Sequence, residues 1–433
     1  MRVIPPDSSG AYRPRNFKDG TTPMQALRIH WLALTLLAAS APAAAGDAAG
    51  KGGAILDLRY RFEHVTQDNA LDDADAHTLR TRVGYRTGAW HGWSALVEAD
   101  DVRRLGGRYN DTRNGRTSHS VVADPEGTAI NQALLHFAGE RVAATVGRQR
   151  INLDNQRFVG GVGWRQNEQT YDGVLLQFTP TDKLSATYAW LGRVNTVFGP
   201  DDGPRANAVN RADSEGDSHL LNLRYAFSPR MVATGYHYRL DLDDLAVSAG
   251  APLDSLSSAT TGVRLAGTFE RLDYAAEFAR QDALHGNPWD LDSRYHLVEL
   301  GVRLGKARLA AGEELLGGAG GPGNRAFQTP LGTRHKFQGW ADMFVTTPAD
   351  GVEDRYVGAV VPVAGGSLEA WYHDFSAERG SASYGTELDV SYARGIPGVP
   401  GLDALFKYAR HDADRTSPTV DTEKFWLQVQ YTY

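Results

Sequence analysis

From Gly50 onward, apolar and ionised residues alternate with a period of two, which restricts the chain to strands with one apolar and one polar face. Leu56-Asp57-Leu58-Arg59-Tyr60-Arg61-Phe62-Glu63 shows the pattern, as do Leu79-Arg80-Thr81-Arg82-Val83 and Leu221-Asn222-Leu223-Arg224-Tyr225. Phe425 to Tyr433 repeats it and ends on an aromatic ring. A soluble sandwich turns its polar faces to water. A barrel in the outer membrane turns its apolar faces to lipid and encloses the polar ones. Alternation alone leaves both open.

The connections favour the barrel. Short turns at 88–92, 139–140, 179–182, 228–230, 270–271, 305–306, 363–366 and 395–400 alternate with longer polar stretches. These run over 66–77, 105–127, 149–164, 194–217, 241–257, 281–292, 317–351, 376–383 and 411–421. Long outer loops and short periplasmic turns are what outer-membrane barrels show. The count predicts a closed, antiparallel, all-β transmembrane barrel of about eighteen strands, with sixteen the alternative. The segment KFQGWADMF (336–344) would break the parity as a strand, so it is assigned to loop 317–351, folded into the pore. Closure also removes the exposed apolar edge that the last strand would otherwise present. That strand, with Tyr433 at its end, resembles the signal read by the barrel-assembly machinery, an expected partner alongside outer-membrane lipid.

Residues 24–45, MQALRIHWLALTLLAASAPAAA, have the basic, apolar and small-residue parts of a signal peptide in order. The expected organisation is a mis-called extension over 1–23, a signal peptide over 24–45 and one barrel domain over 46–433. Removing 1–45 takes away five basic and two acidic residues and leaves a net charge of −10. This balance argues against nucleic acid as a partner. The chain has no cysteine, which excludes disulfides and thiolate metal sites. Its 13 histidines show no H-x-x-x-H or H-E-x-x-H pair, and no calcium-loop spacing occurs, so no cofactor is expected.

Alternation assigns Arg59, Arg61 and Glu63 to the lumen, with Arg80, Arg82 and Arg86 on the next strand. Arg224, Arg264, Glu277, Glu299 and Arg303 follow, then Glu369, Glu387, Asp389 and Lys407. The densest stretch, Gly147–Gly173, adds Arg148, Arg150, Arg157 and Arg165, with Asp154, Glu168 and Asp172. Its glycines suit an inward loop that narrows the pore, and it lacks phosphate-loop spacing. Guanidinium groups bind carboxylates in pairs of hydrogen bonds, so an arginine-rich wall suits a small anionic or saccharide solute. Pairing of these charges across the lumen, stiffening the wall, is the equal alternative.

GRQRI, DNQRF, GWRQN and QTYDG in this order, with VVADPEGT before them and FQGWADMF after, resemble the alginate-export family of Gram-negative outer-membrane proteins. The resemblance implies an eighteen-stranded barrel with an arginine-lined constriction for an acidic polysaccharide. The function expected is a porin-like channel in the outer membrane. Two other readings compete. One is a barrel enzyme, a lipid esterase or protease, using His119 with Ser120 or His335 with Asp342, although no G-x-S-x-G is present. The other is a soluble secreted β-protein that binds carbohydrate.

Overall fold

The computed structural model describes residues 52–203, 207–228, 230–284 and 286–433. The expected extension and signal peptide lie outside these residues. Eighteen strands follow in order: β1 (Gly53–Gln67), β2 (Ala74–Arg86), β3 (Trp93–Arg108), β4 (Gly127–Ala138), β5 (Val142–Gln149) and β6 (Thr170–Thr181). Next come β7 (Leu184–Asn195), β8 (Asp213–Ser228), β9 (Met231–Leu240), β10 (Ser258–Phe269), β11 (Leu272–Ala283) and β12 (Asp292–Leu304). The last are β13 (Ala307–Gly317), β14 (Gly351–Val363), β15 (Gly366–Ser376), β16 (Ser383–Gly395), β17 (Leu402–Asp412) and β18 (Thr422–Thr432). Every strand pairs antiparallel with its sequence neighbours, and β18 closes on β1, with Arg59 opposite both Arg80 and Gln430. The count of eighteen holds and sixteen does not.

Face by face, the barrel is the reverse of a water-soluble sandwich. On β8, Leu223 is 49% exposed on the outside while Asn222 is 7% exposed within. Asp57, Arg59, Arg61 and Glu63 of β1 are all buried, whereas Val97, Val263, Leu300, Val357 and Leu427 form part of an outer apolar belt. Each such leucine left in water would forfeit about 2 kcal/mol, so the belt belongs in hydrocarbon. This overturns the soluble reading. Near the short-turn end, Trp90, Trp93, Tyr225 and Phe227 are exposed, as an interfacial girdle requires. Trp90 and Trp93 exchange both backbone hydrogen bonds across His91 and Gly92, whose φ values of 48° and 85° make the type I′ geometry that tight hairpins prefer.

Two of the long connections fold inward: the β5–β6 loop, 150–169, and the β13–β14 loop, 318–350. KFQGWADMF lies in the second and forms no strand; a short 3-10 turn, Arg334–Lys336, precedes most of it. Phe158 and Val159 of the first loop and Phe327, Leu331 and Phe344 of the second join one buried cluster with Tyr236, Tyr238, Tyr295 and Leu297 of the wall. The Phe158 ring lies 5.3 Å from Tyr236 and 5.1 Å from Tyr295. The interior is therefore partly apolar, because the loops bring hydrophobic residues that need a matching wall.

Candidate functional site

The arginines of β1 and β2 face the 150–169 loop and hold it. Arg59 donates to the carbonyls of Gly163 (3.0 Å) and Arg165 (3.2 Å) and to Gln430. Arg61 donates to the Trp164 carbonyl at 2.5 Å, and its guanidinium stacks 4.1 Å above the Trp164 ring. Arg80 pairs with Asp57 at 2.7 Å. Arg82 forms a two-pronged pair with Asp100, both contacts 2.7 Å, and reaches Glu168 at 3.1 Å. Glu168 also accepts from Arg150 and Asn131. Burial alone would raise the Glu168 pKa, but Arg150, Arg82 and Arg80 outweigh it and hold the carboxyl well below its usual range. Arg150 keeps 31% of its side chain exposed, against 8% for Arg82 and 1% for Arg80.

Arg157 and Arg165 join the two loops to each other and to the wall. Arg157 is ion-paired with Glu314 of β13 at 2.7 Å and donates to Thr329 and Gln338. Arg165 bridges Glu63 and Asp342, each at 3.2 Å. Backbone bonds run from Gly160 to Leu331 and from Thr333 to Gln156, both 2.9 Å. Five non-glycine residues of these loops take left-handed φ: Asp154 (48°), Gln156 (68°), Val162 (48°), Gln338 (49°) and Asp342 (63°). For β-branched Val162 this is a strained state, and such states cost on the order of 1–3 kcal/mol each. Strain concentrated where the loops narrow the lumen is strain held by surrounding bonds.

On the remaining wall, Arg264 pairs with Glu277 at 2.5 Å and Glu299 with Arg308 at 2.7 Å. Asp389 accepts the Trp340 N–H at 3.0 Å, tethering the longer loop. Arg303 faces inward at the short-turn end and Arg224 faces inward nearer the middle of the wall; neither has an ion-pair partner among the described residues. Arg148 departs from its expected place. It stands in register with Ala133 and Asp172, on the face of exposed Leu135 and Val146, and pairs with Asp172 at 2.7 Å outside the lumen. It shares parity with Val142 and Val146 on β5, which turns it outward.

Sequence reasoning missed the aromatic group beside this site. Lys407 Nζ lies 3.8 Å from the Trp340 ring and 4.3 Å from Trp164, with Trp426 at 5.6 Å. The signal was present in β18, where an outward Phe425 forces Trp426 inward. His335 and Asp342 do come together, at 2.7 Å, but His335 Nε2 accepts from Lys407 Nζ at 2.7 Å, so both ring nitrogens are engaged and neither meets a hydroxyl among the described residues. Burial pushes the His335 pKa down to about 3, so the ring is neutral and its Nδ1–H donates to Asp342. His119 and Ser120 are adjacent on an extended segment; Ser120 is buried while His119 Nδ1 donates to the Asp73 carbonyl at 2.9 Å. Neither pair has the geometry of a nucleophile and its base.

The barrel is similar to solved structures of Acinetobacter baumannii OccAB4 and Pseudomonas aeruginosa OpdO. Each has a TM-score of 0.67 and 16% identity over 88% of this chain, covering 98% and 97% of those chains. Acinetobacter baumannii OccAB2 follows at 0.65, with 15% identity and 88% and 98% coverage. At these identities the likeness shows the fold. A search of curated protein sequences returns no match. The alginate export profile matches residues 54–312, more than half of the chain. With that match added to an apolar belt and a charged interior, the chain belongs to the alginate export family and is a β-barrel channel of the Gram-negative outer membrane.

Proposed function

We propose that the channel passes a hydrophilic, anionic or sugar-like solute past the arginines that hold the 150–169 loop, with polysaccharide export one use of the same path. The observation that carries this reading is Arg150: it pairs with Glu168 yet leaves nearly a third of its side chain open. Most other inward guanidiniums are spent on carboxylates or loop carbonyls and act as scaffold. Arg224, on the β8 wall and without an ion-pair partner among the described residues, offers a second attractive point. The wall is then neither a bare arginine ladder nor a wholly neutralised one. A solute carboxylate meets a few incompletely satisfied cations on a rigid support. Delivery by the 24–45 segment and assembly through β18 belong to the same reading.

The test is reversal potential in planar bilayers across a salt gradient, repeated with uronate and neutral oligosaccharides as blockers. Anion preference and block by uronate are expected. Cation preference with no block by either sugar class would defeat the proposal.

A further inference from the structure

The lumen leaves unexplained a group of cations on the outer lip. On β3, Arg103 pairs with Asp101 at 2.6 Å on the outward face. The strand continues five residues to Arg108, roughly 13 Å higher on a tilted strand. A cavity opens there, lined by Gly107, Arg108, Arg116, Ser118 and His119. Arg108 stands opposite Asp75, while Gly107 stands opposite Ala76, which is buried inside. Arg108 therefore points away from the lumen. Asp75 is engaged by His64 at 2.8 Å, and Arg108 has no ion-pair or hydrogen-bond partner among the described residues.

The other lining groups also have donors to spare. Arg116 uses one N–H on the Gly107 carbonyl at 3.0 Å. Gly107 takes φ of 90° and passes so close to the Asp75 carbonyl that a Cβ would lie 1.9 Å from it, so this approach needs glycine. His119 donates its Nδ1–H to the Asp73 carbonyl at 2.9 Å, which fixes the ring as one wall of the cavity. The Ser118 carbonyl accepts from Asp72 N–H at 2.7 Å, and its hydroxyl has no partner among the described residues. Among the described residues the lining holds no carboxylate side chain; the nearest in register, Asp75 opposite Arg108, is engaged by His64.

We propose that this cavity binds a phosphate monoester, carried on the sugar headgroup of an outer-leaflet glycolipid. Two guanidiniums and a hydroxyl match several terminal oxygens and more than one negative charge better than they match a single carboxylate. The height above Arg103 suits a phosphate on a sugar that stands clear of the acyl chains. Leu105, 58% exposed on the outward face between Arg103 and Arg108, gives the same ligand an apolar contact below its charge.

The experiment uses the full-length protein folded in detergent and three probes: deep-rough lipopolysaccharide, the same glycolipid after dephosphorylation, and inorganic phosphate. Native mass spectrometry or fluorescence titration reads the affinities. The phosphorylated glycolipid is expected to bind at least tenfold more tightly than the dephosphorylated one, and Arg108→Ala with Arg116→Ala to abolish that difference. Arg108→Lys with Arg116→Lys should restore part of it. Heat-modifiable migration on gels confirms that each variant keeps its barrel. Inorganic phosphate binding alone as tightly as the glycolipid would keep the anion site and overturn its lipid source. Equal binding of both glycolipids, or an unchanged affinity in the alanine variant, would overturn the site.

Discussion

Arg157 and Glu314 lie 2.7 Å apart with both side chains almost fully buried, so one ion pair fastens the β5–β6 loop to the strand from which the β13–β14 loop departs. Removing one partner of such a pair leaves an uncompensated buried charge, at a cost of about 3–5 kcal/mol. Arg157→Met should therefore unlatch the loops while the hydrogen-bonded wall remains. Single-channel recordings should show larger and noisier conductance. Adding Glu314→Gln removes the orphaned charge and should return the trace toward the quiet wild-type level. An unchanged trace in the single variant would mean that the loops are held elsewhere.

Arg148 and Arg150 are two residues apart in sequence and lie on opposite sides of the wall. Arg150→Ala should lower anion preference by about twofold, because it deletes an exposed lumen charge close to the narrowed path. Arg148→Ala should leave selectivity unchanged, since its charge sits outside with Asp172. Reversal potentials of the two variants separate these outcomes. Equal losses would contradict the assigned faces.

Lys336 in the longer loop gives selectivity a pH dependence. Burial lowers its pKa to about 8, and its ammonium donates to the Asn155 carbonyl at 3.1 Å. The charge is present at pH 7 and lost as pH rises through 8, so anion preference should fall between pH 7 and 9. Because the folded pKa lies below that of a free lysine, charging Lys336 opposes folding; that penalty is full below about pH 8 and fades progressively as pH rises from there toward the free-lysine value of 10.5. Lys336→Arg should flatten the profile, since a guanidinium does not titrate there. His335, neutral down to about pH 3, should add no step between pH 4 and 8.

Strand number, closure and the identity of the two faces were legible because a period of two leaves few other folds for a chain of this length. KFQGWADMF was legible as loop because strand parity excluded it. The counter-ions were harder. Arg82 meets Glu168 from a segment 86 residues away, and no local spacing announces that contact. The arginine-rich composition of β1 and β2 left a selective ladder and pairing of the charges equally open, and it did not name the partners Asp57, Asp100 and Glu168 that neutralise much of the charge. Arg148 was legible by parity with Val146, yet the run of arginines around it drew it into the lumen. Trp164, Trp340 and Trp426 came together only through the inward fold of both loops.

Leu223 and Asn222 test the orientation on which all of this rests. They are neighbours on β8, five and six residues from the short-turn end, which puts both near mid-membrane on a tilted strand. Leu223→Arg places a charge against hydrocarbon and should cost about 2–4 kcal/mol, read as a shift in urea-dependent folding into vesicles. Asn222 accepts no lipid: its side-chain amide donates to Asp154 at 2.7 Å and to the Tyr238 hydroxyl at 3.0 Å. Asn222→Ala should therefore cost only about 1 kcal/mol, the price of a lost hydrogen bond pair partly replaced by lumen water. A larger penalty at Asn222 than at Leu223 would invert the barrel's faces and remove the basis for a water-filled path.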